Sequence, residues 1–254
     1  MVTLKRPEEV EKMRASGRIV AEILERIRKQ LEPGIRTQDI DAIAVEILKQ
    51  HGATSPFLNK PHHHGGPSFP ASTCVSVNEE LVHGIPGKRV LREGDIVGVD
   101  VGAVLDGWVG DAAWTFSVGN VSPVARKLLD VTEAALYLGI EAAKEGRRIG
   151  DIGSVIENYV TAHGFSIIRA YVGHGVGREM WEEPQVPNFG TPGRGAKLQN
   201  GMTFALEPMV SVGGEKTREL RDGWTVAMAD RSLSAQFEHT IAIRNGAAEI
   251  LTRL

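Results

Sequence analysis

Four carboxylates sit inside stretches that otherwise read as buried strands. Asp100 lies in Ile96-Val-Gly-Val-Asp-Val-Gly-Ala-Val104, and Asp111 opens Asp111-Ala-Ala-Trp-Thr-Phe116. Glu207 lies in Thr203-Phe-Ala-Leu-Glu-Pro-Met-Val210, and Glu238 in Phe237-Glu-His-Thr-Ile-Ala-Ile243. Burying an ionised carboxylate is costly unless something pairs with it. A fifth group, His174, stands in Tyr171-Val-Gly-His-Gly-Val-Gly177, where flanking glycines let backbone or substrate come close to the imidazole. Taken singly, each residue has an ordinary structural explanation. Together, one imidazole and four carboxylates form an oxygen-rich donor set that suits two divalent cations such as Mn, Fe(II) or Co(II) rather than a structural zinc. Four negative charges balance two dications. Such a pair, about 3.5–4 Å apart, lowers the pKa of a shared water and clamps both oxygens of a tetrahedral intermediate. The chemistry expected is hydrolysis of an amide or ester.

Strand parity places the first pair. Asp106-Gly107 is a two-residue hairpin signal, and with it as the loop Gly102 faces Asp111 and Asp100 faces Ala113. The two aspartates then share one sheet face as diagonal neighbours, about 7–8 Å apart at the backbone. Without a cation, two anions so placed repel each other. The same alternation puts Thr203, Ala205 and Glu207 on one face, and Glu238, Thr240 and Ala242 on one face.

The elements that carry these residues occur in duplicate. At a constant offset of 112 residues, Gly34, Arg36, Asp39, Ile40, His51 and Gly52 meet Gly146, Arg148, Asp151, Ile152, His163 and Gly164. Ile40, Ile43, Ala44, Ile47 and Leu48 have the spacing of a core-facing helix, as do Ile152, Val155, Ile156, Tyr159 and Val160. Each helix ends at His-Gly, where glycine suits the left-handed position after the cap. A longer helix precedes each copy, with Met13, Val20, Ile23, Leu24, Ile27 and Leu31 on the first and Val124, Leu128, Leu129, Leu136 and Ile140 on the second. Segments rich in β-formers come after each helix pair. The pattern predicts an α+β domain of two similar halves, about 1–120 and 121–254, with a ligand site between them.

Composition fits a catalytic globular domain. The 254 residues are 42% hydrophobic and 24% charged, enough to bury a core without disulfide staples. A net charge of −3 argues against a polyanion binder that relies on bulk charge. The single cysteine, Cys74, precludes an internal disulfide and fits a reducing cytoplasm. The first residues carry no apolar segment of a secretory signal, and no apolar run is long enough to span a membrane.

Read in order, Asn78-Glu-Glu-Leu-Val-His-Gly-Ile-Pro86, Asp100 with Asp111 eleven residues later, Gly173-His-Gly-Val-Gly177, Glu207-Pro-Met209 and Phe237-Glu-His-Thr240 resemble the type I methionine aminopeptidases of peptidase family M24. The resemblance runs from Arg6-Pro-Glu-Glu-Val to Leu251. It implies the pita-bread fold, a pseudo-twofold antiparallel sheet with helices on its outer face. It also implies removal of the initiator methionine from nascent chains, by a cytoplasmic monomer that can work at the ribosome. Carried over, Asp100, Asp111, His174, Glu207 and Glu238 match the dimetal ligands, with Asp111 and Glu238 bridging and Glu207 also the proton shuttle. The metals such sites take are Co, Mn, Fe or Zn. His83 matches a histidine that hydrogen-bonds the substrate near the scissile amide. Cys74, Phe69 and Trp224 match the methionine pocket, where soft contacts suit a thioether, and Met180 stands where an aromatic is often found. Asn78 and Ser234 match positions whose backbone carbonyls hold a monovalent cation in some members.

Two departures stand out. The family usually carries a second non-ligand histidine seven residues after the ligand histidine, and here that position is Trp181. Indole offers an N–H donor but no acceptor and cannot shuttle a proton, so a slower enzyme or a non-catalytic peptide binder is an alternative. The loop from Phe57 to Ala71 is longer than the family's usual segment and carries His62-His63-His64, expected as a solvated loop bordering the pocket. The nearest rivals are Xaa-Pro aminopeptidases and prolidases, which use the same ligands but normally carry an extra N-terminal domain. Type II enzymes carry a helical insertion not seen here.

Overall fold

Pro7 starts the first helix, α1 (Pro7–Gln30), because its missing N–H costs nothing at the first helical position. The Arg6 N–H donates to Glu9 Oε2 at 2.8 Å, and acids in the first turn oppose Arg28 and Lys29 in the last. Helices α2 (Thr37–Gln50), α3 (Pro123–Ala142) and α4 (Ile149–Ala162) complete the set. This computed structural model describes residues 2–62 and 65–253, so His63 and His64 of the long loop lie outside the described residues. No described helix is long and apolar enough to cross a membrane.

The duplicated sequence motif makes duplicated hydrogen bonds. Gly34 and Gly146, at φ +104 and +87, each donate an N–H at 2.9 Å, to the carbonyls of Leu91 and Leu198. Arg36 N–H reaches Asp39 Oδ2 at 3.0 Å and Arg148 N–H reaches Asp151 Oδ2 at 2.8 Å, closing the first turns of α2 and α4. His51 and His163 cap the two C-termini, with left-handed Gly52 and Gly164 next in the chain. The buried stripes are narrower than the apolar spacing predicts. Val124 and Val155 are exposed, and Leu31, Ile43 and Tyr159 are half-buried, because positions at the edge of the stripe rotate toward solvent.

The strands of the first half and the crossover are β1 (Thr73–Val77), β2 (Glu80–Val82), β3 (Ile96–Leu105), β4 (Trp108–Ser117), β5 (Ser166–Ile167), β6 (Gly173–Gly175) and β7 (Glu182–Val186). The remainder are β8 (Thr203–Leu206), β9 (Met209–Ser211), β10 (Thr217–Glu219), β11 (Val226–Met228), β12 (Ser234–Gln236), β13 (His239–Arg244) and β14 (Ala247–Ile250). They pair antiparallel in the orders β1-β3-β4, β10-β11-β2, β12-β9-β5 and β14-β13-β8-β6-β7. The β3–β4 hairpin turns on Asp106 and Gly107, both at positive φ, as a type I′ turn requires.

Alternation along the hairpin separates core from site. Val97, Val99, Val101, Ala112 and Phe116 face the α1 and α2 side and join its core. Asp100, Asp111, Ala113 and Thr115 fall on the opposite parity. Helix α1 lies directly on β4: a Cβ on Gly110 would sit 2.5 Å from the Gly17 nitrogen, and one on Gly17 would sit 2.3 Å from the Leu251 carbonyl. Helices α3 and α4 cover the second half in the same way, over Phe204, Leu206, Phe237 and Ile241.

Threonine hydroxyls close the seam between the hairpin and the second half. Thr115 Oγ1 donates to the Gln236 carbonyl at 2.7 Å and accepts the Gln236 N–H at 3.0 Å. Thr240 Oγ1 donates to the Asp111 carbonyl at 2.7 Å and accepts the Asp111 N–H at 3.1 Å. Between them the Glu238 N–H donates to the Ala113 carbonyl at 2.8 Å.

Candidate metal centre and its pocket

Five side chains reach one cavity of about 650 Å³: Asp100 from β3, Asp111 from β4, His174 from β6, Glu207 just past β8 and Glu238 just before β13. The register pairs Gly102 with Asp111 and Asp100 with Ala113, as the turn predicts. Asp111 lies within its strand rather than opening it. Glu207 and Glu238 lie one residue outside theirs, beyond the paired His239 and Leu206, since Pro208 has no N–H to continue the ladder.

The donor atoms converge. His174 Nε2 lies 3.7 Å from Asp111 Oδ2 and 3.6 Å from Glu207 Oε1. One atom each from Asp111, His174 and Glu238 falls within 4.8 Å of the others. His174 Nδ1 donates to the Gly175 carbonyl at 3.1 Å, which turns Nε2 toward the carboxylates as a metal ligand requires. Burial holds its pKa below the usual histidine value, so the ring is neutral and its free nitrogen is an acceptor.

The carboxylates satisfy one another only in part, through a side-chain hydrogen bond between Asp111 and Glu238. Among the described residues, Asp100 Oδ1, Asp111 Oδ1 and Glu238 Oε1 are buried with no hydrogen-bond partner. Burial lifts Asp100 to about 7. Burial and then the charges of Asp100 and Glu207 raise Asp111, and burial and then Asp100 raise Glu207. Glu238 rises through burial and then the charges of Asp111, Glu207 and Asp100. A cluster of buried carboxyls, all raised above their usual pKa and with oxygens left unpaired, fits bound dications, which supply the missing positive charge. Glu207 differs from the rest. Gln236 Nε2 donates to its Oε2 at 3.0 Å, and Asn188 Nδ2 donates to its carbonyl at 2.9 Å.

The pocket residues lie around this cluster. His83 lines the cavity at φ +58, edge-on to Tyr171 at 6.1 Å. Cys74 and Met180 are buried, and Phe69 meets Trp224 edge-on at 5.2 Å. Trp181 is 44% exposed, with its ring 6.1 Å from the His174 ring. Ser234 N–H donates to the Asn78 carbonyl at 3.1 Å, so these two residues are in contact. The long loop is not a free solvated excursion. His62 Nε2 donates to the Gly223 carbonyl at 2.6 Å, and Trp224 Nε1 donates to the Pro67 carbonyl at 3.0 Å, tying the loop to the β10–β11 hairpin.

Sequence reading missed Gln236, Asn188 and the roles of Thr115 and Thr240. Gln236 stands two residues before Glu238 and Thr240 two after, so strand parity was an available signal for both. Asn188 left no local signal.

The sequence matches the model of metallopeptidase family M24 over residues 11–245. The chain belongs to that family. Among its M24 relatives, methionine aminopeptidase 1 of Bacillus subtilis is 48% identical over 254 residues, covering 100% of both chains. The methionine aminopeptidase of Escherichia coli is 42% identical, with 99% of this chain and 94% of that one covered. The crystal structure of methionine aminopeptidase from Thermotoga maritima matches with a TM-score of 0.95 at 46% identity, covering 100% of each. Prolidase from Pyrococcus furiosus shares the fold, at TM-score 0.78 and 21% identity, but this M24 chain covers only 65% of it. The pita-bread architecture expected from the sequence is therefore the fold observed.

Proposed function

We propose that this M24 chain is a methionine aminopeptidase that removes the initiator methionine from newly made proteins. The observation that carries the reading is the convergence of four buried carboxylates with a neutral imidazole in a pocket that Phe69, Cys74, Met180 and Trp224 also line. Asp100, Asp111, His174, Glu207 and Glu238 would hold two divalent cations, with Asp111 and Glu238 shared between them. Such a pair supplies Lewis acidity and a nucleophile available at neutral pH.

The chain's own residues do the rest. Gln236 ties down Glu207 Oε2, which leaves Oε1 facing the cavity to take a proton and return it to the leaving amine. The pKa of Glu207, raised by burial and then by the charge of Asp100, favours uptake of that proton. His83 donates a hydrogen bond at the scissile amide and steadies its developing charge. Phe69, Cys74, Met180 and Trp224 surround the methionine side chain, and Trp181 borders the residues next in the substrate. The halves 1–120 and 121–254 act as one catalytic unit, a cytoplasmic monomer working on nascent chains at the ribosome.

The test is methionine release from Met-Ala-Ser after chelation and re-addition of Mn, Fe(II), Co or Zn. Metal-dependent release that fails with a bulky second residue supports the reading. Cleavage of Xaa-Pro peptides in its place moves the chain to the prolidase side, and binding without release makes it a peptide binder.

A further inference from the structure

The cavity is strongly acidic, yet one cation reaches into it. Seven carboxylate side chains line it, among them Glu182, Glu183 and Glu219, which are not among the five candidate ligands. Among the described lining residues Lys60 is the sole lysine or arginine. Its ammonium sits 3.9 Å above the centre of the Trp181 ring, and among the described residues no carboxylate pairs with it. Glu182, the nearest acid in sequence to Trp181, is already bonded to the buried Lys5.

The lysine is held from both sides. Its N–H donates to the Phe57 carbonyl and its carbonyl accepts the Phe69 N–H, both at 2.9 Å. Phe57 also touches the Trp181 ring, at 6.5 Å between centroids. The backbone at the stem of the long loop is therefore fixed, and the indole face fixes the far end of the side chain. Trp181 lies 6.1 Å from the His174 ring, so one indole neighbours both the reacting centre and the ammonium. That spacing puts Lys60 no farther from His174 than about three residues of extended chain, at roughly 3.3–3.6 Å each. Substrate residues just beyond the scissile bond therefore fall within reach of the ammonium.

We infer that Lys60, held on Trp181, is a specificity-determining residue that binds a substrate carboxylate lying one or two residues beyond the scissile bond. The inference rests on the aminopeptidase reading. An unpaired ammonium in an acidic cavity attracts an anion, and a peptide offers that anion as its terminal carboxylate or as an acidic side chain. The seven acids elsewhere on the wall repel the same carboxylate, so the preference is positional. The contact is made in both the bound and the transition state and therefore acts on KM.

Four peptides and three proteins test this. The peptides are Met-Ala-Ser and its C-terminal amide, and the amides of Met-Ala-Asp and Met-Ala-Asn. The proteins are wild type, Lys60→Met and Lys60→Arg, each metal-loaded. Within a pair, the ratio of kcat/KM on one preparation does not depend on the fraction folded. In wild type the carboxylate member of one pair is expected to be favoured about tenfold through KM, equivalent to about 1.4 kcal/mol. Lys60→Met brings that ratio to about one, Lys60→Arg retains it, and salt weakens it. A Lys60-dependent preference in the first pair assigns the chain terminus, and in the second an acidic third residue. A ratio unchanged in Lys60→Met, or lost equally in Lys60→Arg, overturns the inference. Absence of methionine release from all four peptides by wild type overturns the aminopeptidase reading beneath it.

Discussion

Replacing Asp100 by asparagine stabilises the metal-free protein, and the gain grows with pH. Burial raises the Asp100 pKa to about 7 in the folded protein, against about 3.9 in an unfolded chain. Between those values the folded state holds a proton that the unfolded chain has released. Stability therefore falls as pH rises through this window, and below it the term vanishes. Three units at about 1.36 kcal/mol each give about 4 kcal/mol of lost stability above pH 7. The amide keeps the shape of the carboxyl without its charge, so Asp100→Asn escapes the loss. Urea unfolding of both proteins in chelator, at intervals from pH 4 to 8, measures it. The stabilities converge near pH 4 and separate by about 4 kcal/mol at pH 8. Metal narrows the gap at pH 8, because a ligand at 100 times its Kd adds about 2.7 kcal/mol to the protein that binds it. Parallel stability curves across the range, or a variant less stable than wild type at pH 8 in chelator, would refute the claim that cation-free carboxylates strain the site.

Other perturbations probe separate links. Glu207→Gln lowers kcat on Met-Ala-Ser by about 10²–10⁴-fold, the range for removing a general acid–base group. Gln236→Leu removes the donor that lowers the Glu207 pKa, so the acidic limb of the kcat profile moves to higher pH; an unmoved limb counts against the assignment. Trp181→His raises turnover by up to about 10²-fold by adding a transition-state hydrogen bond, and unchanged turnover removes that idea. Gly110→Ala forces a methyl to within 2.5 Å of the Gly17 nitrogen and costs about 1–3 kcal/mol in denaturant unfolding.

The parts that were legible in the sequence are those governed by local rules. Asp106-Gly107 set the register that puts Asp100 and Asp111 on one face, because a two-residue turn leaves a hairpin one alignment. The repeated Gly-x-Arg and His-Gly positions marked both copies of a helix, because capping is local. Glu207 and Glu238 were recognisable as out of place, but their position one residue beyond the ladder depends on Pro208 and on the partner strand. Thr115 and Thr240 were not legible as seam residues, since a hydroxyl that bonds across 121 or 129 positions leaves no periodic trace. The Lys60–Trp181 stack was equally hidden. It needs the long loop to fold back over the second half, and only tertiary structure brings those positions together.

The threonine seam has a further consequence. Paired strands can slide by two residues and keep their faces, but a hydroxyl that both gives and receives a bond at one backbone position has no equivalent neighbour to slide to. Thr115 and Thr240 thus act as indexing pins. They hold the carboxylates of one sheet in phase with those of the other, even though no single hydrogen-bonded ladder runs through all four.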